Sequence, residues 1–268
     1  MLKTRIITAA ILIGLLLVIL FWLPPVATTI ALTAAILTGA WEWSAFVRLR
    51  TLPGRLLYVV VVAACLAVLR PLTLPQPATT VVLLVALAWW VAALAWVVFA
   101  PRRAAVWSAA LAGLLALVPA WVAMVRLRID MPRGAQWLLF ALCLVWAADI
   151  GAYAAGRSFG RTKLAPQVSP GKTWEGVLGG LAFAALVAVG GSQWFAVPVL
   201  WFVPLCLGVV GFSIVGDLTE SLLKRFAGLK DSGTLFPGHG GVMDRIDSLT
   251  SAMPVLLLGL MKLLEGAR

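Results

Sequence analysis

GDLTESLLKRFAGLKDSGTLFPGHGGVMDRIDS, residues 216 to 248, holds Asp217, Glu220, Asp231, Asp244 and Asp247, five of the ten acidic residues in a chain of 268. The single histidine, His239, lies here too, with Lys224, Arg225, Lys230 and Arg245. Ser213, Asp217, Glu220 and Lys224 recur at i, i+4, i+7 and i+11, which draws one polar stripe along an otherwise apolar helix. Gly233, Pro237, Gly238, Gly240 and Gly241 then make residues 230–241 a loop. A second helix is expected from about Val242, carrying Asp244, Asp247 and Ser248 on one side. Acids from two helices flank a basic, glycine-rich loop. Carboxylate oxygens suit Mg²⁺, which commonly takes one or two of them and completes its shell with phosphates. Lysine and arginine suit the phosphates.

Outside this stretch the chain is mostly apolar. Hydrophobic residues make up 63% of it and charged residues 12%, against roughly a quarter charged in a soluble domain. The expected fold is an all-α, polytopic integral membrane protein. Apolar runs of about 20 residues fall near 6–23, 25–47, 56–74, 78–100, 104–125, 135–156, 174–195, 197–220 and 249–264, giving about nine transmembrane helices. The first run follows Lys3 and Arg5 but leads into Pro24 and Pro25 with no small-residue cleavage site, so it is read as a helix and not a signal peptide. Residues 1–130 are expected to be N-terminal membrane helices, and 131–268 a catalytic membrane region with charged loops.

The net charge of +11 does not point to nucleic acid, because the basic residues are scattered between apolar spans. They read as topology signals and as contacts for anionic lipid or nucleotide. With the N-terminus in the cytoplasm, 15 of the 21 Lys and Arg fall on that side, as the positive-inside rule requires. Arg126, Arg128 and Arg133 run against it. Both charged loops of the second half face the cytoplasm in this arrangement. Cys65, Cys143 and Cys206 stand apart within apolar spans and read as small hydrophobes. Trp89, Trp90, Trp96, Trp107 and Trp121 read as interfacial anchors or packing. Glu42, between two tryptophans, is the only acid before Asp130. It is either functional or snorkelling to a nearby interface.

A second charged region runs from Asp149 to Gly176, DIGAYAAGRSFGRTKLAPQVSPGKTWEG. Asp149, Tyr153 and Arg157 share a helix face. Ser169-Pro170 is expected to open the next helix. Gly171-Lys172-Thr173 lacks the earlier glycine of a phosphate-binding loop, with Pro166 in its place, and no strand is expected before it. Lys172 at a helix start can still meet phosphate, or simply anchor the helix. Gly176 and Gly180 are spaced for close helix packing.

The run S-L-L-K-R-x4-K-D-x-G-x2-F-P-G-H-G-G-V-x-D-R-I-D, 27 positions from Ser221 to Asp247, resembles the signature of the phosphatidate cytidylyltransferases, the CDP-diacylglycerol synthases. The region from Asp149 resembles the same family, many of whose members carry lysine where Gly171 stands. The strong resemblance covers about residues 149–250. It implies transfer of CMP from CTP to phosphatidic acid at the inner membrane, with the active site facing the cytoplasm. It also implies Mg²⁺ held by Asp217 and Asp244, with room for a second cation, and catalytic roles for Asp217, Asp244, Lys224 and Asp247. Ser169, Lys172, Arg225, Lys230, His239 and Arg245 would bind substrate. The partners implied are CTP, phosphatidic acid and the surrounding lipids, with no nucleic acid; a homodimer stays open. Two other readings of the residues also stay open: another membrane lipid kinase or nucleotidyltransferase, and a cation-coupled transporter whose buried acids relay charge.

Overall fold

The structure, a computed structural model, describes residues 2–70, 74–236 and 240–265. Nine helices stand among them: α1 (Leu2–Phe21), α2 (Pro25–Phe46), α3 (Leu52–Val68), α4 (Gln76–Phe99), α5 (Val106–Asp130), α6 (Gly134–Phe159), α7 (Trp174–Phe195), α8 (Val199–Ala227) and α9 (Met243–Glu265). Local chemistry sets their ends. Prolines sit in the first turns of α2, α3 and α4, where a missing N–H costs nothing. Thr51 and Thr173 accept from the Gly54 and Gly176 N–H groups and so cap α3 and α7. Gly228, at φ +75°, ends α8 in the left-handed conformation that glycine adopts freely.

The chain is an all-α, multi-pass membrane protein, but fewer helices are long and apolar enough to cross a bilayer than the nine expected. Among the described residues six meet that measure, α4 to α9. Residues Ile7–Phe21 and Leu52–Val68 form shorter apolar helices. The 17 residues of α3 span about 25 Å against a hydrocarbon core of about 30 Å. In α2, four threonines, Ser44 and Glu42 dilute the apolar run.

Between α6 and α7 the chain makes a hairpin in place of the expected loop. Strands β1 (Lys163–Ala165) and β2 (Ser169–Thr173) pair antiparallel, Lys163 opposite Thr173 and Ala165 opposite Ser169. Ser169-Pro170 therefore lies in a strand, and α7 opens four residues later. Gly171-Lys172-Thr173 is itself strand, so the expectation of no strand here fails. A phosphate-binding loop is still excluded, because that motif needs a loop at these residues.

Helix α5 is the axis of the bundle. Its central window is 72% buried, against 28% for α4, and α2, α4, α6 and α9 all pack on it. The bundle has two chemically distinct ends. At one, Arg48 of the α2–α3 turn donates to the Phe226 carbonyl and stacks on its ring at 4.0 Å, while the hairpin reaches α8 through Lys172. At the other, Arg126 pairs with Asp130 at 2.7 Å and bonds Gln76, Arg128 reaches the Leu20 carbonyl, and Arg133 donates to the Trp194 carbonyl. The three arginines that run against the positive-inside rule are thus tied to side chains and helix-end carbonyls.

Candidate active site

The expected polar stripe is present on α8, with α9 running antiparallel against it. The two backbones touch at Gly216, where a Cβ would lie 2.7 Å from the Asp247 carbonyl oxygen. From this contact towards the loop the facing residues are charged. Lys224 Nζ donates to Glu220 Oε2 at 3.0 Å and to Asp244 Oδ1 at 2.9 Å. All three side chains are nearly excluded from solvent. The Glu220 and Asp247 carboxyls adjoin, within hydrogen-bonding reach of one another. Asp217 bonds Lys172 Nζ of β2 at 2.5 Å and accepts from Ser221 Oγ at 3.3 Å.

Asp217 lies inside α8 and not at a helix–loop boundary, because α8 runs on to Ala227. Nor does Lys224 pair with Asp217. Seven residues separate them, whereas Glu220 sits at the favourable i−4 position and Asp244 faces it from α9. Asp217 is neutralised from a different element, the hairpin.

Asp244 organises the loop before α9. Its Oδ2 accepts from the Gly241 N–H at 2.8 Å, the Ser232 N–H at 3.0 Å and Ser232 Oγ at 2.9 Å. One carboxylate so clasps both ends of the described loop. Glu42, from α2, completes the clasp. It accepts from the Val242 N–H at 3.0 Å and the Met243 N–H at 2.7 Å, and its Oε2 shares the single Ser232 hydroxyl proton with Asp244 Oδ2, each 2.9 Å from Ser232 Oγ. It is 5% exposed, so it does not snorkel. It supplies the acceptor that the N-terminus of α9 requires.

Beside Lys172 a cavity of about 360 Å³ opens between α6, α7, α8 and the hairpin. Its walls are mainly apolar, with Asp149, Tyr153, Arg157, Lys172, Thr173 and Ser213 as polar members. Asp149 is within electrostatic reach of Asp217, Lys172 and Arg245, and Asp247 within reach of Asp217 and Glu220. Arg157 donates to the Tyr153 hydroxyl at 2.6 Å, as their shared face predicts. Arg225 and Arg245 are exposed at the same end, Arg225 reaching the Leu229 carbonyl; Lys230 is exposed beside them. Ser169 is half-buried at the start of β2 and outside the cavity lining. His239 lies outside the described residues.

Asp217 and Asp244 share no partner, and among the described residues no three His, Cys, Asp or Glu side chains gather into a metal cage. The donors fit a smaller demand. Asp149, Asp217, Glu220, Asp244 and Asp247 lie at this end with Lys172, Lys224 and Arg245, and Arg157, Arg225 and Lys230 are exposed around them. Asp217 and Asp244, each with its carboxylate beside a lysine ammonium, fit Mg²⁺ bound by one or two carboxylates and completed by substrate phosphates.

A sequence model of the cytidylyltransferase family matches residues 3–262. A phosphatidate cytidylyltransferase of Pseudomonas aeruginosa is 45% identical over 262 residues, which are 95% of each chain. One from Haemophilus influenzae is 39% identical over 284 residues, 95% of this chain and 96% of its own. One from Bacillus subtilis is 40% identical over 125 residues, 46% of each chain. With a match that runs almost end to end, the chain belongs to the cytidylyltransferase family, in which these phosphatidate cytidylyltransferases fall.

Proposed function

We propose that this protein is a phosphatidate cytidylyltransferase. It transfers CMP from CTP to phosphatidic acid, giving CDP-diacylglycerol and pyrophosphate. The observation that carries the reading, beside the family match, is the pair of lysine–carboxylate contacts, Lys172–Asp217 from the hairpin to α8 and Lys224–Asp244 from α8 to α9, at the end of the bundle where an apolar-walled cavity opens. A lipid phosphate oxygen attacks the α-phosphorus of CTP. The new P–O bond forms as the α–β bridging bond breaks, and its electron pair leaves with pyrophosphate. No general base is needed, since a phosphate monoester is largely dianionic near neutral pH.

Both reactants are anions, so the residues must first neutralise and align them. Lys172 and Lys224 have ammonium groups within the site and can pass from carboxylate to phosphate. Arg225, Lys230 and Arg245 draw anions to the same end, His239 donates to the leaving pyrophosphate, and the apolar walls take the glycerol side of the lipid. Asp217 and Asp244 would hold Mg²⁺, with Asp247 in support. When bound, the ion supplies neutralisation of the triphosphate and of the leaving group. Residues 131–268 carry this chemistry, and the helices before them support it.

Purified protein in detergent, given CTP, Mg²⁺ and phosphatidate, should release pyrophosphate only when the lipid is present. Asp217→Asn should lower turnover on the order of 100-fold or more, as loss of several kcal/mol of charge stabilisation would, and should raise the Mg²⁺ requirement. Asp244→Asn should do the same and also loosen the 232–241 loop. Near-normal turnover with an unchanged Mg²⁺ requirement in either variant would remove that residue from the metal site.

The active-site end faces the cytoplasm, where its basic residues and CTP both belong. A cysteine at the exposed hairpin residue Gln167, in a protein lacking the three native cysteines, should react with an impermeant maleimide only after the cells are opened. Labelling of intact cells would reverse the orientation.

A further inference from the structure

We infer that Glu42, in the N-terminal half and far in sequence from the charged motif, is a positioning residue that holds the loop before α9, and with it Asp244, in working geometry. The inference rests on the cytidylyltransferase reading for its kinetic consequence, and on geometry alone for its structural one.

Two independent features point to it. The first is bonding. Both carboxylate oxygens of Glu42 are used, one by Val242 N–H and the other by Met243 N–H and Ser232 Oγ. Ser232 in turn donates through its N–H to Asp244, which holds Lys224. The chain of contacts runs from α2 through the loop to α8. The second is space. A Cβ on Gly233 would have as its three nearest neighbours Oε1, Cδ and Cγ of Glu42, at 2.5, 2.9 and 3.3 Å. A Cβ on Gly241 would collide with both Glu42 oxygens. Two glycines of the motif are therefore small where the carboxylate of a distant helix fills the room. A buried acid is costly in a membrane protein, and Glu42 has no cationic partner among its hydrogen bonds. It is stabilised by N–H groups at the start of α9, so its charge acts as the anchor of that helix.

Removing the anchor leaves two buried N–H groups unsatisfied and leaves Ser232 held by Asp244 alone. A shift of about 1 Å in a positioned group can cost on the order of 100-fold in rate. Glu42→Ala should lower kcat by about that factor, and KM should rise by a smaller factor, because Lys172 on β2 and Lys224 on α8 stay in place while Lys230, His239 and Arg245 lie in the loosened segment. Hydrogen–deuterium exchange should rise in peptides covering 230–246 and stay at wild-type levels in α6 and α7. Glu42→Gln keeps the volume and one acceptor oxygen, so it should show a smaller loss of the same kind; it carries the test if the alanine variant does not fold. Gly233→Ala should also lower kcat. Combined with Glu42→Ala, which empties the space its methyl needs, it should add nothing further, a coupling that distant sites do not show.

Wild-type kcat and wild-type loop exchange in Glu42→Ala or Glu42→Gln would overturn the inference. So would losses that multiply in the Glu42–Gly233 double variant. If wild-type protein released no pyrophosphate, the functional reading would fall, and the exchange measurement would still decide whether Glu42 holds the loop.

Discussion

Two helix pairs in this molecule solve the problem of association in lipid by opposite means. In α6–α7 the contact is made of small residues. Cβ atoms on Gly176 and Gly180 would lie 3.0 and 2.9 Å from the Ala152 and Ala148 carbonyl oxygens, and one on Gly179 would lie 2.7 Å from the Gly151 carbonyl oxygen. Close backbone approach and dispersion hold such a pair, with no charge involved. In α8–α9 the helices touch at Gly216 and then part around Glu220, Lys224, Asp244 and Asp247. Two carboxylates share one ammonium there, and the Asp247 carboxyl adjoins Glu220. That arrangement is poor glue, since an apolar replacement of a buried ion network is often as stable. Its excess of negative charge makes sense as a place for cationic and phosphate chemistry. One pair is built to hold, the other to react.

The sharpest way to break the comparison is at Lys224. Lys224→Met keeps the length and loses the charge, stranding Glu220 and Asp244. The expected cost is about 3–5 kcal/mol, a fall in unfolding temperature on the order of 10 °C, with loss of turnover. Adding Glu220→Gln removes one stranded charge and should restore part of the stability but none of the turnover. The control lies in the other pair. Gly179→Ala drives a methyl into Ala155 and the Gly151 carbonyl oxygen and should cost about 1–3 kcal/mol by overpacking, while turnover of the folded protein falls far less than in Lys224→Met. If Lys224→Met were as active as Gly179→Ala, the charged pair would be structural too.

Much of this was legible in the chain. Helix positions followed from apolar runs and from prolines at their starts, and the α8 stripe and the Gly176–Gly180 packing followed from spacing alone. The expected boundary at residue 220 fell seven residues short, since hydropathy reads Glu220 and Lys224 as an exit whereas the two neutralise each other within the helix. The hairpin was hidden by Pro170 and Gly171, which argue against a strand in general and are tolerated in a two-stranded ribbon that is all edge. Lys172–Asp217 and Glu42–Ser232, 45 and 190 residues apart, leave no periodic signal. Glu42 announced itself only as an isolated acid in apolar surroundings, which raised the question of a role without naming the partner.

The smallest expected effect lies where the two pairs meet. The hairpin grows from α6 and α7, and Lys172 carries it across to α8. Its neighbour Gly171 lines the cavity, and a Cβ there would meet nothing within 4 Å. No left-handed backbone requires glycine at this position, as the positive-φ glycines are elsewhere among the described residues. Gly171→Lys should therefore fit without disturbing the hairpin; its side chain leaves the strand face opposite Lys172 and adds an ammonium at the cavity mouth that Gly171 lines. A partly solvated ion contact of this kind is worth at most about 1 kcal/mol, roughly a fivefold lower KM for an anionic substrate at low salt. Screening should erase most of that gain by about 0.5 M salt, and kcat should not change. The substrate whose KM responds, CTP or phosphatidate, identifies whose phosphate the cavity mouth holds. An unchanged KM for both at low salt would place the phosphates deeper, against Lys224, and leave Lys172 as the clasp between the two helix pairs.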